Sequence, residues 1–489
     1  MKKKTKGIIA GSCAVAVLAG VLVVLQITAP EKEPEEDNLA STSDTSDKTS
    51  RLLYDKNPSD ILSLKVTNEN GGYTIERYAD DFWTVPDISG LPVSTGDINS
   101  AVEALATVTA EETVSEAPED LSIYGLDKPQ ITAEAVFDGS SAVTRTLSIG
   151  DETPKGGYYY FTIDGDSTVY TIKASAVSIL FNKEYDFLNH VIYENVVDDN
   201  TEDDYNPAKI NKVTIQRHDI DYDIVLEYDT RQDDPDAMTG NSSTHVLTEP
   251  VSLDLNPDKS NNVLNGIMGL TADDVAAVNP DEKMLEEYGF KEPACTVVYD
   301  INAGGITLHI GGKKTNDEGL VTGYYVMKDG TDIIYTVNSA LLPWLKAMPL
   351  DLTTTLVTSV YIYTIHSIDM EYEGNTLHFD LEGGADDFKV KCGGEDYTDT
   401  DRFKTFYQFI LRAPAEELYL EEETGEPRIK LTIESDFGTN VIEFITSADR
   451  KSVIKLNGRT SFKCRTAYVD RLIENIENLL NKEKIITSW

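Results

Sequence analysis

The sequence predicts an α+β protein: one transmembrane helix near the N-terminus, followed by three tandem strand-rich modules, each with antiparallel meanders and one or two packed helices. Three observations carry this. An uncharged run at 7–29 follows a lysine cluster, a set of motifs recurs at a near-constant offset, and amphipathic helices alternate with hairpin signals along the remainder.

The run comes first. Residues 7–29 carry no charged side chain and follow Lys2, Lys3, Lys4 and Lys6. At 1.5 Å per residue they reach roughly 34 Å as a helix, enough to cross a hydrocarbon core of about 30 Å. Lysines before the span and none directly after it place the N-terminus in the cytoplasm and the bulk outside. A cleaved signal peptide is the competing reading, but Pro30 directly follows the would-be cut after Ala29. Cys13, after Ala10-Gly11-Ser12, sits too early for a lipoprotein box and reads as a membrane cysteine. The expected organisation is a cytoplasmic tip and anchor at 1–29, a disordered acidic stalk at 30–57, and modules at 58–195, 205–350 and 355–489, the third degenerate. The stalk's Glu, Ser, Thr and Asp cannot bury enough apolar surface to offset ordering entropy.

Net charge is −43 over 489 residues. Such a surface repels phosphate backbones, so nucleic acid is excluded as a partner. The cysteines Cys13, Cys295, Cys392 and Cys464 have no short spacing and no CxxC, so they read as isolated thiols rather than zinc ligands.

The repeat gives the module count. Tyr124-Gly125-Leu126-Asp127-Lys128-Pro129 recurs as Tyr288-Gly289-Phe290-Lys291-Glu292-Pro293. Leu147-Ser148-Ile149-Gly150 matches Leu308-His309-Ile310-Gly311, Tyr159-Tyr160 matches Tyr324-Tyr325, and Tyr170 matches Tyr335. Offsets stay between 161 and 165. A third copy starts at Pro427 and has Glu421 to Gly425 where the Tyr-Gly signature would stand.

Within each copy an opening strand pair is expected: Ile61–Val66 with Tyr73–Tyr78, Val213–Arg217 with Asp223–Tyr228, and Val360–Ile365 with Ile368–Tyr372. A helix follows, its apolar stripe at i, i+4 and i+7: Ile98, Val102 and Leu105, then Val263, Ile267 and Leu270, then Phe403, Tyr407 and Ile410. Asp401 or Thr400 is the expected cap of the last. Four-strand meanders turn at Asp138-Gly139, Asp164-Gly165, Asp329-Gly330 and Asn457-Gly458, because these residues tolerate positive φ. Closing helices are expected at Ala174–Phe181, Ser339–Lys346 and Tyr468–Leu480.

No phosphate-binding glycine loop, His-Glu-x-x-His or Gly-x-Ser-x-Gly is present. The six histidines (His190, His218, His245, His309, His366, His378) have no metal-ligand spacing, and His309 and His378 read as satisfied strand residues. The acidic clusters Asp198–Asp204 and Asp229–Asp236 do not match an EF-hand loop and read as solvated linkers. Twenty-five tyrosines outnumber Phe and Trp together, and in strands they read as packing residues before ligand platforms. No catalytic residue, cofactor or metal site is expected. The structural signature is Tyr124, Gly125, Pro129, Tyr288, Gly289 and Pro293.

At that signature, with the following Ile-Gly, Tyr-Tyr and Val-Tyr blocks, the chain resembles the bacterial envelope family catalogued as domain of unknown function 4340. The resemblance covers about 60–190 and 210–348, and more faintly 358–480. Members resemble accessory proteins of gliding-motility-type ABC transport systems, which implies a non-enzymatic, membrane-anchored, extracytoplasmic binding or scaffolding role. A transporter permease or another envelope protein is the implied partner. A surface adhesin or wall-interacting spacer is the alternative, and an envelope hydrolase the third reading.

Overall fold

Alternation of apolar and polar residues builds this fold, because a strand sends successive side chains to opposite faces. A computed structural model describes residues 50–139, 143–194, 209–234, 237–302, 304–398 and 400–489. The expected anchor at 7–29 and most of the stalk lie outside the described residues. No helix among the described residues is long and apolar enough to cross a membrane.

The first sheet uses β2 (Ile61–Asn68), β3 (Tyr73–Ala79), β4 (Phe82–Thr84), β6 (Glu112–Ser115), β7 (Ile131–Phe137), β8 (Val143–Glu152), β9 (Tyr158–Ile163) and β10 (Val169–Lys173). A separate pair, β1 (Arg51–Asp55) with β5 (Thr107–Ala110), stands beside it, and helix α1 (Thr95–Ala106) leads directly into β5. Strand order in the sheet is β4-β3-β2-β7-β8-β9-β10-β6.

The second sheet contains β11 (Ile210–Arg217), β12 (Ile224–Tyr228), β13 (His245–Glu249), β14 (Leu253–Asp254), β15 (Asp274–Val278), β16 (Cys295–Ile301), β17 (Ile306–Thr315), β18 (Val321–Lys328) and β19 (Ile333–Asn338). Between them come α2 (Pro257–Leu264) and α3 (Glu282–Glu287). The third contains β20 (Ile365–Tyr372), β21 (Asn375–Glu382), β22 (Lys389–Cys392), β23 (Glu395–Asp396), β24 (Glu417–Leu418), β25 (Pro427–Ser435), β26 (Gly438–Thr446), β27 (Lys451–Leu456) and β28 (Arg459–Arg465), with α4 (Thr400–Leu411) and α5 (Thr466–Leu480).

Their orders are β14-β13-β12-β11-β16-β17-β18-β19-β15 and β23-β22-β21-β20-β25-β26-β27-β28-β24. All three sheets therefore follow one plan. The opening strands step outward from the centre, a helix carries the chain across, a short strand takes the far edge, and a four-strand meander fills the gap. The two halves meet at a central antiparallel pair: Leu64 opposite Ala135, Thr214 opposite Val298, and Met370 opposite Leu431. The third copy keeps this plan without the Tyr-Gly signature.

Each crossing helix buries its apolar stripe. Ser94 caps α1 by accepting from the Asp97 N–H, and Ile98, Ala101, Val102 and Leu105 are buried. In α4, Phe403, Phe406, Tyr407, Phe409 and Ile410 are all buried. Phe409 stacks on Tyr468 of α5, with ring centroids 5.1 Å apart and planes 7° apart. Burying a side chain of this size contributes about 1.5–3 kcal/mol.

Several expectations are corrected. The disordered stalk does not extend to residue 57, because Arg51–Asp55 is a strand paired with Thr107–Ala110. Its Tyr54 ring meets Phe137 edge-on at 6.4 Å, an apolar anchor that the acidic composition upstream obscured. The third opening pair is not Val360–Ile365 with Ile368–Tyr372. One strand runs from Ile365 to Tyr372 and its partner is Asn375–Glu382, turned at Glu373-Gly374, both with positive φ. Residues Ile362–Thr364 form a 3-10 turn instead. Helix α2 stops at Leu264, although Ile267 and Leu270 are buried as expected. Gly266 packs against Trp344, and Gly269 takes φ +68°, so the chain leaves the helix through turns. Helix α4 already includes Thr400, which places Asp401 within its first turn rather than at its cap.

Candidate functional site

The repeated signature forms a docked turn. Gly125 (φ +65°) and Gly289 (φ +82°) end short helical turns in the left-handed region. Each preceding Tyr carbonyl lies over the Ile-Gly block. The Gly312 N–H donates to the Tyr288 oxygen at 2.7 Å, and a Cβ on Gly311 would come within 2.5 Å of the same oxygen. The Tyr124 ring meets Tyr160 edge-on at 5.0 Å, and Tyr288 meets Tyr325 at 4.6 Å. The turn, the Ile-Gly block and the Tyr-Tyr block thus touch one another, which is why they recur together. Pro129 and Pro293 lie between each turn and the first meander strand, β7 or β16. Nothing in this arrangement gathers reactive groups.

Four histidines, His245, His309, His366 and His378, meet a carboxylate or a carbonyl, whereas His190 buries its Nε2 without a hydrogen-bond partner. His378 Nδ1 lies 2.6 Å from Asp369 and Nε2 3.2 Å from Asp380, on an exposed sheet surface, and these carboxylates hold its pKa above the usual value. Cys392 pairs with Phe379 in register, so its thiol points to the opposite face from His378. His309 reaches Asp329 at 2.9 Å, and His366 reaches Asp436 at 2.9 Å. Burial pushes the Cys295 and Cys464 thiols up to about 12, which suits inert core residues. No cluster among the described residues has the composition of a metal site.

Of the two acidic runs, Asp198–Asp204 lies outside the described residues, and in the other Asp233 and Asp234 are exposed as expected but Asp229 is not. Asp229 is only 4% exposed, and Arg231 grips it through two bonds of 2.7 Å while also reaching Asp254 at 3.2 Å. Burial raises its pKa, but bonds from Arg231 and Asn241 outweigh that, and the net shift is downward. Asp229, Arg231, Asp254, Thr358, Ser359 and Asn440 line a cavity of about 220 Å³ where the second and third sheets meet. Its guanidinium is already matched by two carboxylates, so the cavity serves the junction between the sheets.

A different hollow offers recognition chemistry. The β3–β4 hairpin and the segment from Ser89 to Asn99 enclose a groove of about 550 Å³. Tyr78 is 68% exposed and Phe82 59%, and their rings lie 6.1 Å apart, tilted by 37°. Trp83 is held by its indole N–H, which donates to the Ile61 carbonyl at 3.2 Å. Asp81, Thr84, Thr95 and Asn99 supply polar groups around these rings. Rings with a polar surround grip a ligand's flat or apolar face while the polar groups fix its orientation. No Lys or Arg occurs from residue 78 to residue 127, so every charge in that stretch is negative, and Arg77 just before it, opposite Trp83 in the hairpin, is already paired with Asp138. Tyr78, Phe82 and Trp83 lie outside the repeated motifs, and only Tyr78 is marked by the sequence, as the end of an expected strand. The signal available was the adjacent pair Phe82-Trp83 beside Asp80-Asp81 in a hairpin turn.

Comparison with known proteins gives one family. The model described as Domain of unknown function (DUF4340) matches residues 83–293 and, overlapping, 246–423. No curated protein and no solved structure matches the chain.

Proposed function

The chain belongs to the DUF4340 family, and from that membership we propose a non-enzymatic, membrane-anchored, extracytoplasmic binding or scaffolding protein that works beside a gliding-motility-type ABC transport system. Residues 7–29 hold it in the membrane with the N-terminus inside, and three tandem modules project outward. The observation that carries the binding role is the aromatic groove beside β4. Two large apolar rings there stay in water at the end of a sheet whose core is otherwise closed, an arrangement that typically marks a contact site. The signature turns serve folding rather than chemistry.

The array of three sheets also favours a second reading, a wall-interacting spacer or adhesin. Contacts between neighbouring sheets support rigidity along the array. Lys328 donates to the Ile192 carbonyl at 3.0 Å, Ala272 N–H to the His190 carbonyl at 2.8 Å, and Arg459 pairs with Glu249 at 2.7 Å.

The test is mild detergent extraction of the intact protein, affinity capture, and identification of what accompanies it. Recovery of a permease and its ATPase supports the accessory role. Recovery of cell-wall glycan with no transporter component supports the spacer reading instead. The N-terminal sequence of the extracted protein is expected to begin at or near Met1, and a start near residue 30 would remove the anchor.

A further inference from the structure

We infer that the groove beside β4 accepts an extended, basic segment of a partner protein, which adds to the first sheet as a further strand. This rests on the binding role proposed above and names the class of ligand.

The three sheets differ at one pair of equivalent edges. In the second sheet the edge strand β13 is covered by β14, with Val246 opposite Asp254 and Leu247 opposite Leu253. In the third sheet β23 covers β22 in the same way, with Lys391 opposite Asp396. Both covering strands lie just before the crossing helix. In the first sheet that covering strand is missing. The sheet ends at β4, and the chain instead makes a 3-10 turn at Pro86–Ile88, passes Pro92, and forms only an isolated bridge between Val93 and Leu188 before α1. Pro86 and Pro92 lack an N–H and resist pairing as strand residues.

The segment that covers the edge in the other two sheets therefore stands away from it here, and the groove lies in the space between. Its walls are β4 with the hairpin on one side, and Ser89, Val93 and Thr95 on the other. An exposed edge is a template for another strand, and main-chain hydrogen bonds would supply affinity while side-chain pockets supply selectivity. Tyr78, Phe82 and Trp83 would take a large apolar side chain of the incoming segment. Asp80, Asp81 and Asp87 select Lys or Arg on that segment by charge complementarity, since the one nearby hairpin cation, Arg77, is already paired with Asp138.

The probe is a nine-residue peptide alternating lysine with phenylalanine or valine, titrated against the full-length chain in neutral detergent and read by tryptophan fluorescence and calorimetry. Two relatives accompany it: one with glutamate for lysine, and one with alternate backbone amides methylated along the edge that would pair. The inference expects saturable binding at one site, at least tenfold tighter for the lysine peptide than for either relative. It also expects at least a tenfold loss with Tyr78→Ala/Phe82→Ala, whose exposed rings are outside the core. Failure of all three peptides to bind overturns the inference. Equal binding of the methylated peptide overturns strand addition, and equal binding by the double variant places the interaction elsewhere on the acidic surface. If affinity capture recovers a transporter whose retention is unaffected by Tyr78→Ala/Phe82→Ala, the accessory role stands and the groove inference falls.

Discussion

Replacing Gly289 by Ala tests whether the repeated turn is held by close backbone packing. Two costs meet there. At φ +82° an L-residue is strained, by about 1–2 kcal/mol. An added Cβ would also lie 2.6 Å from the Gly312 nitrogen, whose N–H bonds the Tyr288 carbonyl at 2.7 Å. Relieving that overlap moves backbone, costing about 1–3 kcal/mol of overpacking, with about 1 kcal/mol more if the hydrogen bond is lost. Gly269 separates the two effects, since it has φ +68° and nothing within 4 Å of an added Cβ. Gly269→Ala should therefore cost only about 1–2 kcal/mol, and Gly289→Ala about 1–4 kcal/mol more. The assay is urea unfolding of residues 51–489, followed by tryptophan emission. Trp344 is fully buried beneath the second sheet and donates to the Val263 carbonyl at 3.1 Å, so it reports on this module. If the two variants lie within about 0.5 kcal/mol of each other, a difference no larger than the usual effect of a neutral surface change, the docked turn does not hold the repeat.

Two further outcomes follow from buried titratable groups. His245 is buried, with Nε2 2.9 Å from the Ile210 carbonyl, and burial, helped by Lys209, pushes its pKa down. The unfolded chain therefore takes up a proton that the folded chain refuses, so this group's contribution to stability falls as pH drops below about 6.5. His245→Gln should flatten that part of the profile, measured as urea midpoint against pH, and an unchanged slope would refute the assignment. The raised pKa of His378 acts with the opposite sign: its contribution is present at low pH and lost as pH rises through the folded value. In 51–489 a thiol reagent should label Cys392 first, because Cys295 and Cys464 are buried with strongly raised pKa values. Simultaneous labelling of all three in native buffer would contradict their burial.

The sequence exposed those features whose cause is local. Tyr124-Gly125 and Tyr288-Gly289 were readable because a left-handed glycine, a ring contact and a small residue under a carbonyl each demand a residue type at a fixed place. Ile98, Val102 and Leu105 were readable because a stripe needs only periodicity. Two kinds of feature stayed hidden. Asp229 looked like part of a solvated run, yet Arg231 two residues later folds back on it, and tertiary partners, Asn241 on the carboxylate and Asp254 on the guanidinium, complete the buried pair. The groove beside β4 is a difference between equivalent edges, visible only once β14 and β23 show what the other sheets place there. Pro86 and Pro92 were its sequence trace, but a proline near a helix start ordinarily signals only a turn.

The shared plan also sets an order of events for the nascent chain. In each sheet the meander strands meet their sequence neighbours through short turns, as at Asp329-Gly330 and Asn457-Gly458, so those hairpins close early. The central pair must wait. Leu64 reaches Ala135, and Met370 reaches Leu431, only after a loop of some sixty to seventy residues has been drawn shut, and that entropy is lost before any burial repays it. The short strands β6, β15 and β24 are made before the meanders yet find their place only on the last meander strand, so each remains unpaired until its module is nearly synthesised. A ribosome delivering this chain N-terminus first would therefore present unfinished sheet edges three times in succession, and each would close only when its own final strand emerged.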